Sequence, residues 1–192
     1  MKIIVFSDLH ANKKSINDIE HLLKEMDLSI FCGDILGYGL DIEQSVEFIT
    51  EEVDLVVQGN HDRMAVSGES LENQHPVVKE SIEYTRRQLT DDQIDLINSL
   101  PEEILFKDIY ITHSLGDRYL REEKDFIDFY NTLKPSVNYA FFGHTHEQVF
   151  FDYNEKIIIN PGSITKGRRG SKRSFVMVDE GEIKFIKMRD IL

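Results

Sequence analysis

The chain has 192 residues, 41% of them hydrophobic and 30% charged, which is typical of a single soluble globular domain over residues 1–192. Its formal net charge of −13 argues against a protein that coats nucleic acid or an anionic membrane, because phosphate binding needs a basic face. The single cysteine, Cys32, excludes an internal disulfide, and no signal-peptide or transmembrane-length run is found, so a cytoplasmic protein is predicted.

The first third of the chain alternates strand-like runs with helical patterns. Apolar residues at helical spacing predict a helix over residues 13–26, and Asp41 is the predicted N-cap of the helix that follows. Short runs rich in Ile, Val and Phe predict five buried strands at residues 3–6, 28–32, 55–57, 109–112 and 139–142. This alternation is typical of a parallel sheet with right-handed crossovers.

The later part of the chain changes from helical to antiparallel β character. Residues 67–100 are polar and helical, with Pro76 at a first helical position and a capping box from Thr90 to Gln93. Two later segments are predicted hairpins with turns at residues 154–155 and 180–181. The sequence therefore predicts an α/β protein with two packed sheets flanked by helices.

Polar residues gather where the predicted strands end. In an open α/β sheet, the carboxyl ends of the parallel strands line one crevice in which ligands bind. Five segments distant in sequence are therefore expected to bring these side chains together: Asp8, His10, Asp34, Asn60, His113, His144 and His146. His61 directly follows Asn60. His21 and His75 lie outside these segments and are interpreted as ordinary surface residues.

Each short motif alone has an ordinary structural interpretation. Asp8 or Asn60 could cap a helix, Asp34 could belong to a turn, and His113 could be a core histidine. Their coincidence at five strand ends instead favours two adjacent divalent ions that share a carboxylate. Mixed imidazole and carboxylate ligands favour Mn²⁺, Fe²⁺, Zn²⁺ or a similar ion over Mg²⁺ or Ca²⁺.

The motifs resemble those of the calcineurin-like metallophosphoesterases: DLH at 8–10, GD at 33–34, GNHD at 59–62, a lone His113 and GHTH at 143–146. GDILGYG at 33–39, SLP at 99–101 and NPGS at 160–163 are similar to the compact prokaryotic phosphodiesterase branch of that superfamily. The resemblance implies a four-layer α/β/β/α sandwich of two mixed sheets flanked by helices. It also implies two metal sites that share Asp34. One would use Asp8, His10 and His146, and the other Asn60, His113 and His144.

The resemblance further implies a metal-dependent phosphoesterase in which a hydroxide bridging two ions is the nucleophile, with His61 above the metals acting on the transition state. Mn²⁺ is the expected ion, and Fe²⁺, Zn²⁺, Ni²⁺ and Co²⁺ are alternatives. Protein phosphatases of this superfamily carry GDxxDRG, but here Gly37 and Tyr38 replace its second aspartate and its arginine. We therefore expect a small phosphodiester or nucleotide-type substrate. Tyr38, and Arg168 in the basic loop 166–173, are candidate substrate-binding residues.

Two other functions are compatible with these motifs. A non-catalytic protein-interaction scaffold on the same fold typically loses a ligand or the catalytic histidine, whereas this chain retains them all. The acidic charge argues against the second alternative, a nuclease. The expected partner is a small phosphorylated substrate, with no membrane or nucleic-acid partner, and a homo-oligomer is compatible with the sequence. The helical middle segment is expected to cover the crevice.

Overall fold

The computed structural model describes residues 1–188 and contains two five-stranded mixed sheets. The first sheet consists, in spatial order, of β10 (Glu182–Lys187), β9 (Ser174–Asp179), β1 (Ile3–Phe6), β2 (Leu28–Phe31) and β3 (Leu55–Val56). Strands β1, β2 and β3 are parallel, and the β9–β10 hairpin is added antiparallel to β1. The parallel strands therefore direct their carboxyl ends toward the same edge of the sheet.

The second sheet has a similar plan. Its spatial order is β4 (Glu103–Phe106), β5 (Ile109–Thr112), β6 (Tyr139–Phe141), β8 (Lys156–Pro161) and β7 (Gln148–Tyr153). Strands β5, β6 and β8 are parallel, while β4 and β7 are antiparallel edge strands. The carboxyl ends of β5 and β6 are thus also adjacent.

The side chains of β1 point alternately to its two faces, which explains how the layers are held together. Ile3 and Val5 pack into a core that also contains Ile111 and Ile159 of the second sheet, so the two sheets lie face to face. Their neighbours Ile4 and Phe6 point to the opposite face and pack against helices. Because both faces of β1 are covered, its four residues form one continuous apolar run.

Helices form the two outer layers. The first sheet is covered by apolar side chains from α1 (Lys13–Leu23), α2 (Ile42–Glu52), α3 (Asn60–Val66), α4 (Pro76–Gln88) and α5 (Asp91–Ser99). The second sheet is covered by α6 (Glu123–Thr132), whose Phe126 and Phe129 pack on Phe142. The expected α/β/β/α arrangement of two mixed sheets flanked by helices is confirmed. No helix within residues 1–188 combines the length and apolar character that crossing a membrane requires.

Most of the local predictions are confirmed. Pro76 begins α4, the capping box from Thr90 to Gln93 starts α5, and both hairpins turn at the predicted residues. Helix α1 is three residues shorter than predicted, ending at Leu23. Asp41 occupies the N-cap position of α2 but makes no side-chain cap there. Its Oδ2 instead accepts a 2.9 Å hydrogen bond from the backbone nitrogen of Lys13, the first residue of the neighbouring helix α1, whose N-cap is Asn12.

Candidate metal centre

The loops that follow β1, β2, β3, β5 and β6 converge where the two packed sheets bring their carboxyl ends together. They gather the seven candidate ligands predicted from the sequence: Asp8, His10, Asp34, Asn60, His113, His144 and His146. All of these side chains except Asn60 are buried. A buried group of titratable side chains from five distant segments is typical of a functional site.

One half of the centre is formed by Asp8, His10, Asp34 and His146. One ligand atom from each of these residues lies within 4.8 Å of those of the others. The Nε2 atoms of His10 and His146 are 3.0 Å apart, and Nε2 of His146 is 3.2 Å from Oδ1 of Asp8. The Oδ2 of Asp34 is 3.8 Å from Nε2 of His10. These nitrogen and oxygen atoms point at one common volume, as ligands of a single ion do.

The other half of the centre is formed by Asn60, His113 and His144, again with Asp34. Oδ1 of Asn60 lies 3.1 Å from Nε2 of His113 and 2.8 Å from Nδ1 of His144. Nε2 of His113 is 3.3 Å from Oδ2 of Asp34. The same oxygen of Asp34 therefore faces both halves of the centre.

Backbone carbonyls orient three of the imidazoles. Nδ1 of His10 bonds to the carbonyl of Leu36 at 2.9 Å, and Nδ1 of His113 bonds to that of Cys32 at 2.6 Å. Nδ1 of His146 similarly bonds to a loop carbonyl at 2.9 Å. A carbonyl only accepts, so Nδ1 carries a proton in each ring, and Nε2 is the nitrogen that faces the centre.

The backbone is strained at most of the candidate ligands. The φ angles are 58° at Asp8, 52° at His10, 65° at Asp34, 69° at His144 and 58° at His146. Positive φ is uncommon for non-glycine residues, and each instance costs about 1–3 kcal/mol. Five such residues within one buried cluster indicate that side-chain position is maintained at the expense of stability, which is typical of a functional site.

The burial and charge of these side chains fit divalent metal ions. Neither carboxylate oxygen of Asp8 makes a hydrogen bond, although Oδ1 is 3.2 Å from His146, and both oxygens are buried. A buried carboxylate with no hydrogen bond is costly unless a cation compensates it. Burial alone would raise the pKa of Asp8, but His146, with a smaller contribution from His113, lowers it to about 2. Asp8 is therefore ionised, as a metal ligand must be.

The histidines of the centre differ in charge. Burial lowers the pKa of His10 to about 3 and that of His144 to about 4, which keeps both rings in the neutral form that binds metals. Burial acts in the same direction on His113, but the Asp34 carboxylate outweighs it and raises the pKa of His113 to about 9. A metal ion beside Asp34 would displace that proton from His113.

Comparison with known proteins identifies the family. The model of the calcineurin-like phosphoesterase superfamily domain matches residues 1–182. The chain belongs to the calcineurin-like phosphoesterase superfamily. It is 29% identical over 204 residues to the uncharacterized protein MJ0912 of Methanocaldococcus jannaschii, an alignment that covers 95% of this chain and 84% of that protein.

Solved structures support the same fold. The metallophosphoesterase of Sphaerobacter thermophilus is similar with a TM-score of 0.85 and 22% identity, over 98% of this chain and 88% of that one. An archaeal phosphodiesterase is similar with a TM-score of 0.60 and 18% identity, over 98% of this chain and 100% of that one. The family resemblance and the fold expected from the sequence motifs are thus confirmed. Membership of this phosphoesterase family also implies a requirement for divalent metal ions.

In this calcineurin-like domain, the residue that organises the ligand loops is Asp62, to which the sequence analysis assigned no role. Its Oδ2 accepts hydrogen bonds from the backbone nitrogens of Asp34 at 3.0 Å, Ile35 at 3.2 Å and Gly59 at 2.9 Å. Its Oδ1 accepts another from Leu36 at 2.9 Å. Asp62 is fully buried and joins the loop after β2 to the start of α3. In the sequence, Asp62 can be recognised as a capping residue by its place at the third position of the helix that follows Gly59.

We expect Asp62→Asn to destabilise the metal-free protein. An amide group has one acceptor oxygen and would turn an NH₂ group toward backbone N–H donors that the carboxylate now satisfies. The free energy of unfolding should fall by about 3 kcal/mol, the cost of stranding buried donors and losing bonds to a charged group. Urea denaturation near neutral pH measures this change, with the exposed Asp95→Asn as the matched control. Equal stability of the two variants would exclude this role for Asp62.

His61 lies beside the centre without taking part in either half. Its backbone nitrogen donates a 2.9 Å hydrogen bond to Oδ1 of Asp34, and its ring centroid is 4.9 Å from that of His10. The buried Nδ1 of His61 has no hydrogen-bond partner. Gly37 stands where protein phosphatases carry their second aspartate. A Cβ atom on Gly37 would overlap Nδ1 of His61, so Gly37 lies directly against the His61 ring.

The two predicted substrate-binding residues lie next to each other at the mouth of the centre. The guanidinium of Arg168 donates to the hydroxyl of Tyr38 at 3.3 Å, and the Tyr38 ring is 4.8 Å from the rings of both His10 and His61. Tyr119, which the sequence analysis missed, stacks on His144 with ring centroids 4.3 Å apart. Arg168 and Lys166 both line the cavity that includes His10 and His146.

Helix α4 also reaches the centre, as expected of a covering segment. Val77 and Val78 line a cavity that includes His10 and His146. His75, interpreted from the sequence as an ordinary surface residue, is exposed but lines this cavity too, and its Nδ1 accepts a 3.3 Å hydrogen bond from the nitrogen of Val77 at the start of α4. That interpretation was therefore incomplete, because only tertiary packing brings α4 beside the metal centre.

Proposed function

We propose that this phosphoesterase domain is a two-metal phosphodiesterase that hydrolyses a small phosphodiester or nucleotide-type substrate. The proposal rests on the position of Oδ2 of Asp34, which lies 3.8 Å from Nε2 of His10 and 3.3 Å from Nε2 of His113. A carboxylate oxygen between two sets of nitrogen and oxygen donors supports two adjacent ions with Asp34 as their common ligand. Asp8, His10 and His146 would hold one ion, and Asn60, His113 and His144 the other.

The donor set supports transition-metal ions. Four imidazoles, two carboxylates and one amide oxygen are the chemistry that suits Mn²⁺, our expected ion, as well as Fe²⁺, Zn²⁺, Co²⁺ and Ni²⁺. When bound, such a pair of ions supplies an activated water as nucleophile and neutralises charge on the phosphate group. A cytoplasmic location remains a prediction from the single, buried Cys32.

The chain's own side chains would supply what the ions do not. Arg168, held by the Tyr38 hydroxyl, is positioned to bind a non-bridging phosphate oxygen. His61, outside both ligand sets, is available to donate a proton or hydrogen bond to the leaving oxygen. The burial of His61 strengthens its interaction by excluding water.

Hydrolysis by the reconstituted protein tests this proposal directly. The purified chain is loaded with Mn²⁺ and assayed on phosphomonoesters, phosphodiesters, cyclic nucleotides and dinucleoside polyphosphates, with and without a chelator. We expect chelator-sensitive hydrolysis of at least one diester. Absence of turnover by fully metallated protein on every ester would favour the protein-interaction scaffold, although this chain keeps all seven candidate ligands and His61.

We expect an aryl phosphodiester to be hydrolysed faster than a phosphopeptide. Gly37 and Tyr38 replace the aspartate and arginine of the protein-phosphatase motif, and the Tyr38 ring occupies the space beside His10 and His61. The comparison is kcat/KM on the two substrates at equal metal loading. A higher kcat/KM on the phosphopeptide would reverse this ranking of substrate classes.

A further inference from the structure

The cavity beside the metal centre is larger than a phosphate group requires. Its volume is about 630 Å³. Pockets of about 300–1,000 Å³ accommodate whole small-molecule ligands. The cavity is lined by His10 and His146 of the centre and by Val77 and Val78 in the first turn of α4. A substrate phosphate bound beside His10 and His146 would therefore leave the space beside α4 for one of its ester groups.

The walls of this cavity carry unusually exposed apolar side chains. Val77 is 55% exposed, Tyr119 47% and Tyr38 37%, and all three line the cavity. They account for three of the eight large hydrophobic side chains that are exposed among residues 1–188. Exposed apolar groups grouped around one concave site indicate that an apolar ligand covers them.

The polar groups of the cavity are arranged around these apolar walls. The guanidinium of Arg168 bonds to the hydroxyl of Tyr38, whose ring packs against His10, so a cation is held near the centre. Nδ1 of His75, which also lines the cavity, accepts a hydrogen bond from the nitrogen of Val77, so in the neutral ring the N–H group is on Nε2. That N–H is free to donate to an acceptor nitrogen or oxygen on a ligand. The cavity thus combines a cation that can bind a phosphate group with apolar side chains and a hydrogen-bond donor.

We propose that Val77 and Val78 of α4 and its N-cap residue His75, with Tyr38 and Tyr119, form a subsite for a planar heteroaromatic ring attached through a sugar to the phosphate. The preferred substrate is then a nucleotide ester rather than an alkyl phosphodiester. The ring lies against the two valines and a tyrosine, and a ring acceptor bonds to His75. The inference rests on the proposed function for the phosphate end of the ligand.

A binding measurement tests the subsite without requiring turnover. Calorimetry on the full chain loaded with Mn²⁺ compares adenosine 5′-monophosphate with ribose 5-phosphate, which has the same phosphate and sugar but no ring. We expect the nucleotide to bind about tenfold tighter or more, as contacts of a base with aromatic and apolar side chains provide. Val77→Ser should reduce this preference by roughly threefold to tenfold, because it removes apolar surface under the ring.

Leu96→Ser is the matched control, because Leu96 is a similarly exposed apolar residue, 39% exposed, on the neighbouring helix α5 and does not line the cavity. It should leave the preference unchanged. Equal affinity for the two ligands, or an equal effect of Val77→Ser and Leu96→Ser, would overturn the subsite. Hydrolysis of diesters without a preference for the nucleotide rejects the subsite alone. Tight nucleotide binding without hydrolysis of any ester instead rejects the proposed function.

Discussion

Replacing Asp34 by asparagine is expected to lower metal binding at both halves of the centre. Its Oδ2 faces His10 on one side and His113 on the other, and Oδ1 accepts a hydrogen bond from the His61 nitrogen. A neutral amide provides one acceptor oxygen and no charge, so it cannot bridge two cations as a carboxylate does. We expect wild type to hold up to two ions per chain after reconstitution with Mn²⁺ and Asp34→Asn to hold far fewer. Activity should fall by at least about a hundredfold.

Asn60→Ala is the matched comparison, because Asn60 contacts only His113 and His144 among the candidate ligands. It should lose mainly one ion and keep the half formed by Asp8, His10 and His146. Elemental analysis of the wild type and both variants measures the ion content. Two ions retained by Asp34→Asn would exclude a bridging role, and trace metal in reconstituted wild type would exclude the two-metal centre.

The candidate ligands could be predicted from the sequence because each follows a short apolar strand. Short runs such as IIVF before Asp8 and IYIT before His113 have strong local signatures. Parallel pairing then brings the ends of such strands together whatever the intervening loops do. The hairpin turns were equally local, since Asn154–Glu155 and Glu180–Gly181 adopt the positive φ that two-residue hairpin loops require.

The features that were missed depend on tertiary packing. Asp62 acts by accepting hydrogen bonds from the backbone N–H groups of two loops. The sequence around it looks the same as that around any acidic residue near the start of a helix. His75 and Tyr119 contribute to the cavity only because α4 and the loop after β5 fold over the centre. Asp41 is a similar case, since the spatially adjacent helix α1 competes for its carboxylate.

Removing the imidazole of His61 is expected to lower kcat while metal content and folding stability stay unchanged. His61 makes its hydrogen bond to Asp34 through the backbone nitrogen, which alanine retains, and its ring belongs to neither ligand set. If the ring acts on the transition state alone, kcat should fall by about 10²–10⁴-fold, or roughly 3–5 kcal/mol, with little change in KM. His21→Ala, at an exposed position on α1, is the matched control and should behave as wild type.

The leaving group determines how large the effect of His61→Ala becomes. An alkyl alkoxide is a poor leaving group that depends on protonation, whereas an aryl oxide departs with less help. The loss of kcat should therefore be greater on a diester with an alkyl leaving group than on one with an aryl leaving group. The measurement is kcat of wild type and His61→Ala on both diesters, alongside elemental analysis of both proteins. Equal rates for wild type and variant would remove His61 from the mechanism, and loss of bound metal would make it a ligand. A uniform loss on both diesters would point to a contact with the phosphate group rather than with the leaving oxygen, since that contact does not depend on the leaving group.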